Sequence, residues 1–269
     1  MSYSVTVEIT AHRKKSDDLY RLDLYSPEIS REVQPGQFLH LRVRDGGYDP
    51  LLRRPFSIYD WDGSRGIISI MYRVVGRGTG ILAQRPAGDK LDIMGPLGRP
   101  FTLWEGDRKV IVVAGGVGMA PLYPLVKAFL KKDVEVEVLL GARTEGQLVG
   151  IEDLQELKIN PHVATQDGST GFKGLVTDLL KEKLEENSFH RLYTCGPRPM
   201  LEEVARVAGV YQLKGEVSLE ELMACGVGAC LGCVCPVKDG EGRAEDGAQK
   251  TLYKKICAQG PAFSLEEVF

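Results

Sequence analysis

Histidine is scarce in this sequence, and the few histidines do not form a recognisable metal site. Only four occur in 269 residues, and no two have the H-x-x-x-H spacing that places a pair of imidazoles on one face of a helix. His40 alternates with apolar neighbours, so it is expected to be a structural strand residue. No nucleophile elbow or Ser/His/Asp signature is present, so the sequence gives no support for hydrolysis.

Long apolar segments are missing as well. The N-terminal residues contain no apolar signal-peptide core, and the longest apolar run, Val110–Val126, is broken by glycines and prolines. We therefore expect a cytoplasmic protein without a membrane span. The formal net charge of −3 provides no general attraction to nucleic acid or to an anionic membrane.

Cysteine is uncommon but strongly clustered. Of the six cysteines, four lie in one glycine-rich stretch between Met223 and Pro236, and Cys257 follows downstream. In a reducing compartment such a cluster indicates metal ligands rather than disulfides. The spacing Cys225-x4-Cys230-x2-Cys233 with a distant fourth cysteine is the plant-type [2Fe–2S] pattern. The alternative is a four-cysteine zinc site, which the glycine-rich spacing disfavours.

The fourth ligand is a choice between Cys235 and Cys257. The side chains of Cys233 and Cys235 would point to opposite faces of an extended segment, which makes their joint ligation of one cluster awkward.

The first part of the chain, residues 1–104, has mainly the period-two pattern of β-strands. Short strand-like segments with turn residues between them predict a closed antiparallel barrel, interrupted by one short helix near Thr79–Gln84.

Strand and helix patterns then alternate in residues 105–215. Lys109–Ala114 is a continuous apolar strand, a glycine-rich turn follows, and an amphipathic helix comes next. This alternation predicts a parallel-sheet α/β domain. Residues 216–269 form a small cysteine-rich unit with a polar hairpin-like stretch in 238–247. Two similar tetrapeptides, Ser218–Glu221 and Ser264–Glu267, are interpreted as helix-start capping sequences.

The order barrel, glycine-rich strand–turn–helix and cysteine loop resembles the ferredoxin-NADP reductase superfamily with an appended [2Fe–2S] domain. Within it the chain is most similar to the electron-transfer subunits of dihydroorotate dehydrogenase B, and the resemblance covers essentially the whole chain. The segments that carry it are the cysteine loop, Leu52–Ser57, Gly76–Thr79, Gly115–Pro121 and Cys195–Pro197.

The resemblance implies an FAD site in the barrel. Arg54 would face the diphosphate, because a guanidinium presents paired donors to phosphate oxygens, and Ser57 would hydrogen-bond the isoalloxazine edge. Gly78 and Thr79 would offer donors at the start of a short helix. The full set of implied flavin contacts is Arg54, Pro55, Phe56, Ser57, Met71, Tyr72, Arg73, Gly78 and Thr79.

The turn Gly115-Gly116-x-Gly118-x-x-Pro121 lies in the context that a phosphate-binding turn requires, although it departs from the G-x-G-x-x-G fingerprint at the third glycine. It matches the family's nicotinamide nucleotide site, to which Cys195, Gly196 and Pro197 would add a positional thiol and its flanking turn. Arg143 after the second strand either neutralises a 2′-phosphate of NADP or is a surface residue. The resemblance favours NAD, without excluding NADP.

The family pattern also takes a distant cysteine as the fourth cluster ligand. The expected ligands are therefore Cys225, Cys230, Cys233 and Cys257, with Cys235 as a structural thiol.

A nicotinamide carries two electrons, a [2Fe–2S] cluster carries one, and FAD links them. No organic-substrate site and no catalytic residue are indicated. The resemblance implies a partner: an FMN-containing dihydroorotate dehydrogenase catalytic subunit, in a heterotetramer with two subunits of each kind. Electrons would pass from its FMN through the cluster and FAD to NAD+, in pyrimidine synthesis.

Two alternatives stand beside this reading. One is an NAD(P)H-linked subunit of a sulfhydrogenase or of a ferredoxin-dependent transhydrogenase, whose cluster loop we expect to lack the form Cys225-Gly-Val-Gly-Ala-Cys230. The other is a non-redox, zinc-stabilised nucleotide-binding scaffold protein.

Overall fold

The computed structural model describes residues 2–44, 46–243 and 249–269. Its first layer is a closed antiparallel barrel with strand order β1-β2-β5-β4-β3-β6, which confirms the predicted barrel. Alternate residues such as Leu22, Ile58 and Ile70 fill its interior. The barrel elements are β1 (Tyr3–Lys14), β2 (Leu19–Tyr25), α1 (Pro27–Ser30), β3 (Phe38–Arg42), β4 (Arg54–Asp62), β5 (Ile67–Arg73), α2 (Arg77–Leu82) and β6 (Lys90–Leu97).

The barrel opens between two of its strands. Pairing of β4 with β5 runs from Asp62 opposite Ile67 to Ile58 opposite Ile70, and no further. Beyond that point β4 continues along β3 through Arg54, whereas β5 continues along β2 through Arg73. In this described part of the barrel the two strands therefore diverge and leave facing backbone edges without ladder partners. Such edges are ready to accept a ligand.

The second layer is a seven-stranded sheet of order β10-β9-β8-β7-β11-β12-β15, with parallel pairing everywhere except the antiparallel edge strand β15. Helices cover its faces, which confirms the predicted α/β arrangement. Its elements are β7 (Lys109–Gly115), α3 (Met119–Leu130), β8 (Glu135–Ala142), α4 (Ile151–Glu156), β9 (His162–Thr165), β10 (Phe172–Lys173), α5 (Val176–Glu186), β11 (Arg191–Cys195), α6 (Arg198–Val210), β12 (Gly215–Ser218) and β15 (Ala262–Ser264).

The cysteine-rich unit combines a loop with a hairpin. Strand β13 (Val234–Arg243) pairs antiparallel with β14 (Gln249–Lys255), and α7 (Ile256–Gln259) follows. The hairpin-like stretch that the sequence indicates is therefore present, while its residues 244–248 lie outside the described residues. Cys233, Cys235, Ile256 and Cys257 share one buried core with Phe38 of the barrel and with strands of the second sheet.

The two similar tetrapeptides behave differently. The Ser264 hydroxyl accepts a hydrogen bond from the Glu267 N–H at 3.2 Å and caps α8 (Leu265–Val268), as predicted. Ser218 instead ends β12, and no helix begins directly after it in the described residues, so that prediction is wrong. Throughout the described part of the chain, no helix has the length and apolar character that crossing a membrane requires.

Candidate cofactor sites

The cysteine loop is folded so that its backbone N–H groups point at sulfur. Cys225 Sγ accepts hydrogen bonds from the N–H groups of Val227, Ala229 and Cys230 at 3.5, 3.3 and 3.4 Å. The Gly232 N–H donates to Cys230 Sγ at 3.4 Å. Donors around a sulfur stabilise its thiolate, the form that ligates iron. The loop is therefore folded so that its backbone stabilises thiolates at Cys225 and Cys230.

Cys257 is joined to this set from the other side. Its Sγ accepts from the Gly228 N–H at 3.1 Å, and its own N–H donates to Cys233 Sγ at 3.4 Å. Cys235 has no hydrogen bond to the loop within the described residues and is packed in the core at 2% exposure. The structure thus brings together Cys225, Cys230, Cys233 and Cys257 and places Cys235 outside the group. The described residues contain no cluster of three or more ligands arranged for a single metal ion.

The four thiols differ in environment. Hydrogen bonds from the backbone of Val227 and the neighbouring loop lower the pKa of Cys225 to about 6. Burial, and then the proximity of Cys233, raise the pKa of Cys257 to about 12. Cys230 is exposed, whereas Cys233 and Cys257 are buried. One edge of the sulfur set therefore reaches the surface of the chain.

The barrel opening brings together the two segments that the sequence assigns to FAD. The Arg54 side chain lies against Gly78, where an added Cβ would be 3.1 Å from Arg54 Nε. Arg54 Nη1 donates to the carbonyl oxygens of Leu52 and Arg53 at 2.6 and 3.2 Å, which holds the guanidinium at the mouth of the opening. The Thr79 hydroxyl accepts from the N–H groups of Val75 and Gly76 and donates to the Gly76 carbonyl, so it is engaged in capping α2.

The side chains along the opening take different roles. Ser57 is half-buried, and its hydroxyl has no hydrogen-bond partner among the described residues. Phe56 and Tyr72 are buried in the barrel, edge to face at 5.4 Å, and the Tyr72 hydroxyl meets His12 Nε2 at 2.9 Å. Their backbones, rather than their rings, line the opening. Pro55 is half-buried on the adjoining β3–β4 ladder.

Two residues near the end of β5 connect the opening to the α/β unit. Met71 is buried in the core of that unit together with Met119 of α3. Arg73 pairs with Asp18 and donates through Nη2 to the Gln147 carbonyl at 2.8 Å. The predicted flavin segment therefore runs into the contact between barrel and sheet.

The glycine-rich turn Gly115–Gly118 has a packed side and an open side. A Cβ on Gly118 would lie 2.4 Å from the Cys195 carbonyl oxygen, and one on Gly115 would lie 2.8 Å from Pro197 Cδ. Gly116, at φ +54°, has nothing described within 4 Å of its Cβ position. Close packing explains why Gly115 and Gly118 are glycines. At Gly116 the space beside the backbone is open, so a ligand can approach there.

Cys195 is the last residue of β11, and Gly196 and Pro197 follow it beside that turn. Burial, and then the nearby Glu220, raise the pKa of the Cys195 thiol well above its usual value, so the thiol is neutral and is not a nucleophile. Pro197 precedes α6.

Glu220 is a residue that sequence reasoning missed. It reaches solvent, yet protein surrounds it on most sides, and this desolvation raises the pKa of its carboxyl group. Glu220 lies within the tetrapeptide Ser218–Glu221, which the sequence pattern led us to interpret as a helix cap. Glu220 follows β12 and lies near Cys195. This is beside the open side of the glycine-rich turn Gly115–Gly118.

His40 lies beneath the cysteine loop, completely buried. Burial, and then the charge of Arg53, lower the pKa of His40 to about 4, which leaves the ring neutral. The strand assignment of His40 is confirmed, since it lies in β3, but its pattern gave no indication of the loop that covers it.

Arg143 is exposed just after β8, without a side-chain partner among the described residues. A cleft of about 760 Å³ lies elsewhere, between the barrel and α3. Its Arg13, Arg21, Asp23 and Asp60 side chains already take part in ion pairs, which leaves few free groups for a substrate.

Comparison with known proteins decides the family. Residues 220–269 match a family model described as the iron-sulfur cluster binding domain of dihydroorotate dehydrogenase B. A dihydroorotate dehydrogenase B (NAD(+)) electron transfer subunit from Desulforamulus reducens is 38% identical over 98% of this chain and 97% of its own length. Its counterpart from Geobacillus kaustophilus is 40% identical over 97% of this chain and 96% of its own length. The chain belongs to the family of dihydroorotate dehydrogenase B electron transfer subunits.

The other matches agree with this family. Residues 6–101 match an oxidoreductase FAD-binding domain and residues 112–206 an oxidoreductase NAD-binding domain, which confirms the predicted cofactor classes together with the iron–sulfur domain. A solved structure titled as an NADH-dependent reduced ferredoxin-NADP oxidoreductase superposes with a TM-score of 0.85 at 31% identity, over 100% of this chain and 91% of the other. A Neisseria gonorrhoeae ferredoxin NADP+ reductase shares the fold, with a TM-score of 0.65 at 16% identity over 77% of this chain and 93% of its own.

Proposed function

We propose that this chain is the electron-transfer subunit of an NAD-dependent dihydroorotate dehydrogenase in pyrimidine synthesis, which passes electrons from the FMN of a catalytic subunit through a [2Fe–2S] cluster and FAD to NAD+. The observation that carries the proposal is the cradle of N–H···S hydrogen bonds from the cysteine loop to Cys225 and Cys257. This loop lies against the outer wall of the flavin barrel. When bound, the cluster carries single electrons, the nicotinamide carries electron pairs, and FAD links the two.

Each cofactor has residues suited to hold it. Cys225, Cys230, Cys233 and Cys257 would ligate the cluster, and the glycine N–H groups would share its negative charge. Arg54 would hold the FAD diphosphate, while the unpaired strand edges and Ser57 would hydrogen-bond the isoalloxazine ring. The open Gly116 would let the nicotinamide nucleotide approach the backbone. Cys195 and Glu220 would shape the place where the nicotinamide and flavin rings meet.

The surface around the cysteine loop supports a docking site for the catalytic subunit. Leu222, Leu231 and Tyr253 are 87%, 62% and 69% exposed, and Cys230 is exposed as well. Apolar side chains clustered at a surface commonly mark a protein interface. We take the occupant to be the FMN-containing catalytic subunit, in an assembly with two subunits of each kind, because electron transfer requires the cluster to lie close to the donor flavin.

The nucleotide is expected to be NAD rather than NADP. The relatives carry NAD(+) in their names, and Arg143, just after β8, is exposed and has no side-chain partner among the described residues. A 2′-phosphate is usually held by more than one donor. We assign Arg143 to the surface.

The boundaries 1–104, 105–215 and 216–269 remain our proposed division into FAD, NAD and cluster units. A cytoplasmic location is proposed on the cysteine cluster, because in a reducing compartment clustered cysteines serve as metal ligands rather than disulfides.

A second candidate has one specific observation in its favour. The structure titled as an NADH-dependent reduced ferredoxin-NADP oxidoreductase covers the whole chain at 31% identity, so a ferredoxin-linked electron-input role is a real competitor. The complete set of four cysteines and the match to the dihydroorotate dehydrogenase B cluster domain favour the first candidate.

The deciding experiment is co-expression with an FMN-containing dihydroorotate dehydrogenase catalytic subunit. The purified complex should show flavin and iron–sulfur absorption and should reduce NAD+ when dihydroorotate is added, whereas the catalytic subunit alone should not. A complex that ignores dihydroorotate but exchanges electrons between reduced ferredoxin and a nicotinamide would support the second candidate. Protein that contains zinc and no flavin would overturn both.

A further inference from the structure

His40 occupies the boundary between the flavin barrel and the cysteine loop. Its neighbours Leu39 and Leu41 point into the barrel core, so its own side chain leaves the barrel wall on the opposite side. The ring is nevertheless fully buried at 0% exposure. A polar ring on the outside of a barrel is buried only because another part of the chain covers it.

The covering segment is the first turn of the cysteine loop. Gly226, directly after Cys225, has φ +71°, and a Cβ built on it would lie 2.5 Å from His40 Nδ1. The loop backbone therefore rests on the imidazole with no space for a side chain. This contact accounts for the glycine at 226 by close approach as well as by conformation.

Neither ring nitrogen of His40 makes a hydrogen bond of normal geometry in the described residues. A buried polar group without a well-formed partner calls for a reason, because each such group costs about 1–3 kcal/mol. The reason here lies at the loop, since the ring is aimed at the Cys225–Gly226 backbone.

His40 is also tied to the flavin strand. In the β3–β4 ladder it lies opposite Pro55, next to Arg54. Arg53 Nη1 donates to the His40 carbonyl oxygen at 3.4 Å and to the Asp92 carbonyl oxygen at 2.9 Å, which braces this part of the wall. One residue thus contacts the loop of the first cluster ligand through its ring and the flavin strand through its backbone.

We propose that His40 is a positioning residue for electron transfer, whose imidazole seats the Cys225–Gly226 turn and so fixes the cluster loop against the flavin strand. The inference rests on the proposed function, because it concerns the geometry of the same cluster. Groups behind metal ligands set ligand orientation and metal affinity, and their replacement typically costs about 10–100-fold in metal affinity or activity.

The first test compares His40→Gln and His40→Leu with His162→Gln in the co-purified complex. His162 lies on β9, away from the loop, and controls for a His-to-Gln change as such. The measurements are cluster loss to a chelator, the electron paramagnetic resonance spectrum of the reduced cluster, and its reduction potential. We expect about tenfold faster cluster loss in His40→Leu, with a changed spectrum and potential, and a smaller effect in His40→Gln, which keeps a donor.

The second test is a double-mutant cycle on Gly226→Ala, measured in the wild type and in His40→Ala. The strain of alanine at positive φ is the same in both backgrounds, so the difference isolates the clash with the imidazole. Gly226→Ala should damage cluster retention far more when His40 is present. Equal damage in both backgrounds would show that the ring does not seat the loop.

The outcomes separate the inference from the proposed function. Wild-type complex without iron–sulfur absorption would refute the proposed function. Wild-type complex with its cluster, but His40 variants that change only the thermal denaturation midpoint and leave spectrum, potential and cluster retention unchanged, would make His40 an ordinary core residue. If His40→Leu does not fold, the volume-conserving His40→Gln and the cycle still decide the matter.

Discussion

The backbone N–H of Gly228 donates a hydrogen bond to Sγ of Cys257 across 3.1 Å. This contact joins the glycine-rich loop to a cysteine 29 positions later in the chain. It shows that the fold, and not the loop alone, completes the set of sulfurs.

Cys257→Ser should therefore abolish the cluster, whereas Cys235→Ser should leave it in place. Cys257 exchanges hydrogen bonds with Gly228 and Cys233, while Cys235 is packed in the core without such contacts in the described residues. Iron and sulfide content per protein, with the visible spectrum, measures the result. Loss of the cluster in Cys235→Ser with retention in Cys257→Ser would refute the ligand assignment.

Arg54→Ala should weaken FAD binding strongly, and Arg54→Lys should restore it only in part. The guanidinium is held at the barrel opening by two carbonyl oxygens, and a lysine cannot reproduce its paired donors toward a diphosphate. A loss of two charge-assisted hydrogen bonds corresponds to about 3 kcal/mol, or roughly a hundredfold in Kd. Flavin absorbance after gel filtration provides the measurement, and Arg65→Ala, on an exposed turn, is the control.

Gly118→Ala should destabilise the nucleotide site. The new Cβ would lie 2.4 Å from the Cys195 carbonyl oxygen, so the turn and the end of β11 must move apart, at a cost of about 1–3 kcal/mol. The Michaelis constant for NAD+ should rise and the thermal midpoint should fall. Gly209→Ala in α6 is the matched control, because nothing described lies within 4 Å of its Cβ position. Equal behaviour of the two variants would contradict the packing role of Gly118.

Leu222→Asn combined with Leu231→Asn should weaken association with the catalytic subunit while FAD and cluster content stay normal. Leu231 has φ +58°, a conformation that asparagine tolerates better than leucine, so folding of the loop should not suffer. Removal of two apolar anchors should raise the Kd at least about tenfold. The control is Val210→Asn, which replaces a 68% exposed side chain on α6. Unchanged affinity, measured by analytical ultracentrifugation, would place the interface elsewhere.

Asp23→Asn should reduce stability at neutral pH and progressively less in acid. Burial opposes ionisation of Asp23, but hydrogen bonds from Ser69, Arg21 and Arg13 prevail, and its pKa is lowered below the usual 3.8. A lowered folded-state pKa stabilises the protein above pH 3.8, and this stabilisation is lost as the pH falls through the folded value. We expect a loss of about 3 kcal/mol at pH 7 that narrows below about pH 4. Denaturation midpoints across pH give the test, with exposed Asp17→Asn as the unaffected control.

Much of the architecture follows from local pattern. The alternation in β1 and the apolar run of β7 reflect which faces of each strand are covered, so the barrel and the parallel sheet could be predicted. The cysteine spacing could also be interpreted from local sequence. In one short loop, the number of residues between the ligands restricts how they can be arranged in space.

Contacts between distant segments could not be predicted. Ser218 and Ser264 begin identical tetrapeptides, yet only Ser264 caps a helix. The difference arises because β12 adds to the edge of the sheet beside β11, where the preceding Glu216 accepts hydrogen bonds from Thr102. The burial of His40 could not be predicted either, because its strand pattern is independent of the loop that covers it.

The sheet order has a consequence for protein engineering. Strand β12 leads into the cysteine-rich unit and β15 returns from it, and the two pair side by side at the edge of the nucleotide sheet. A chain truncated after residue 215 would lose this pair of strands. Strand β11 would then become an exposed, unpaired edge strand that is prone to aggregation. Transfer of the cysteine-rich unit to another flavoprotein would therefore require the host to supply a sheet edge. The unit cannot be moved as an independent module.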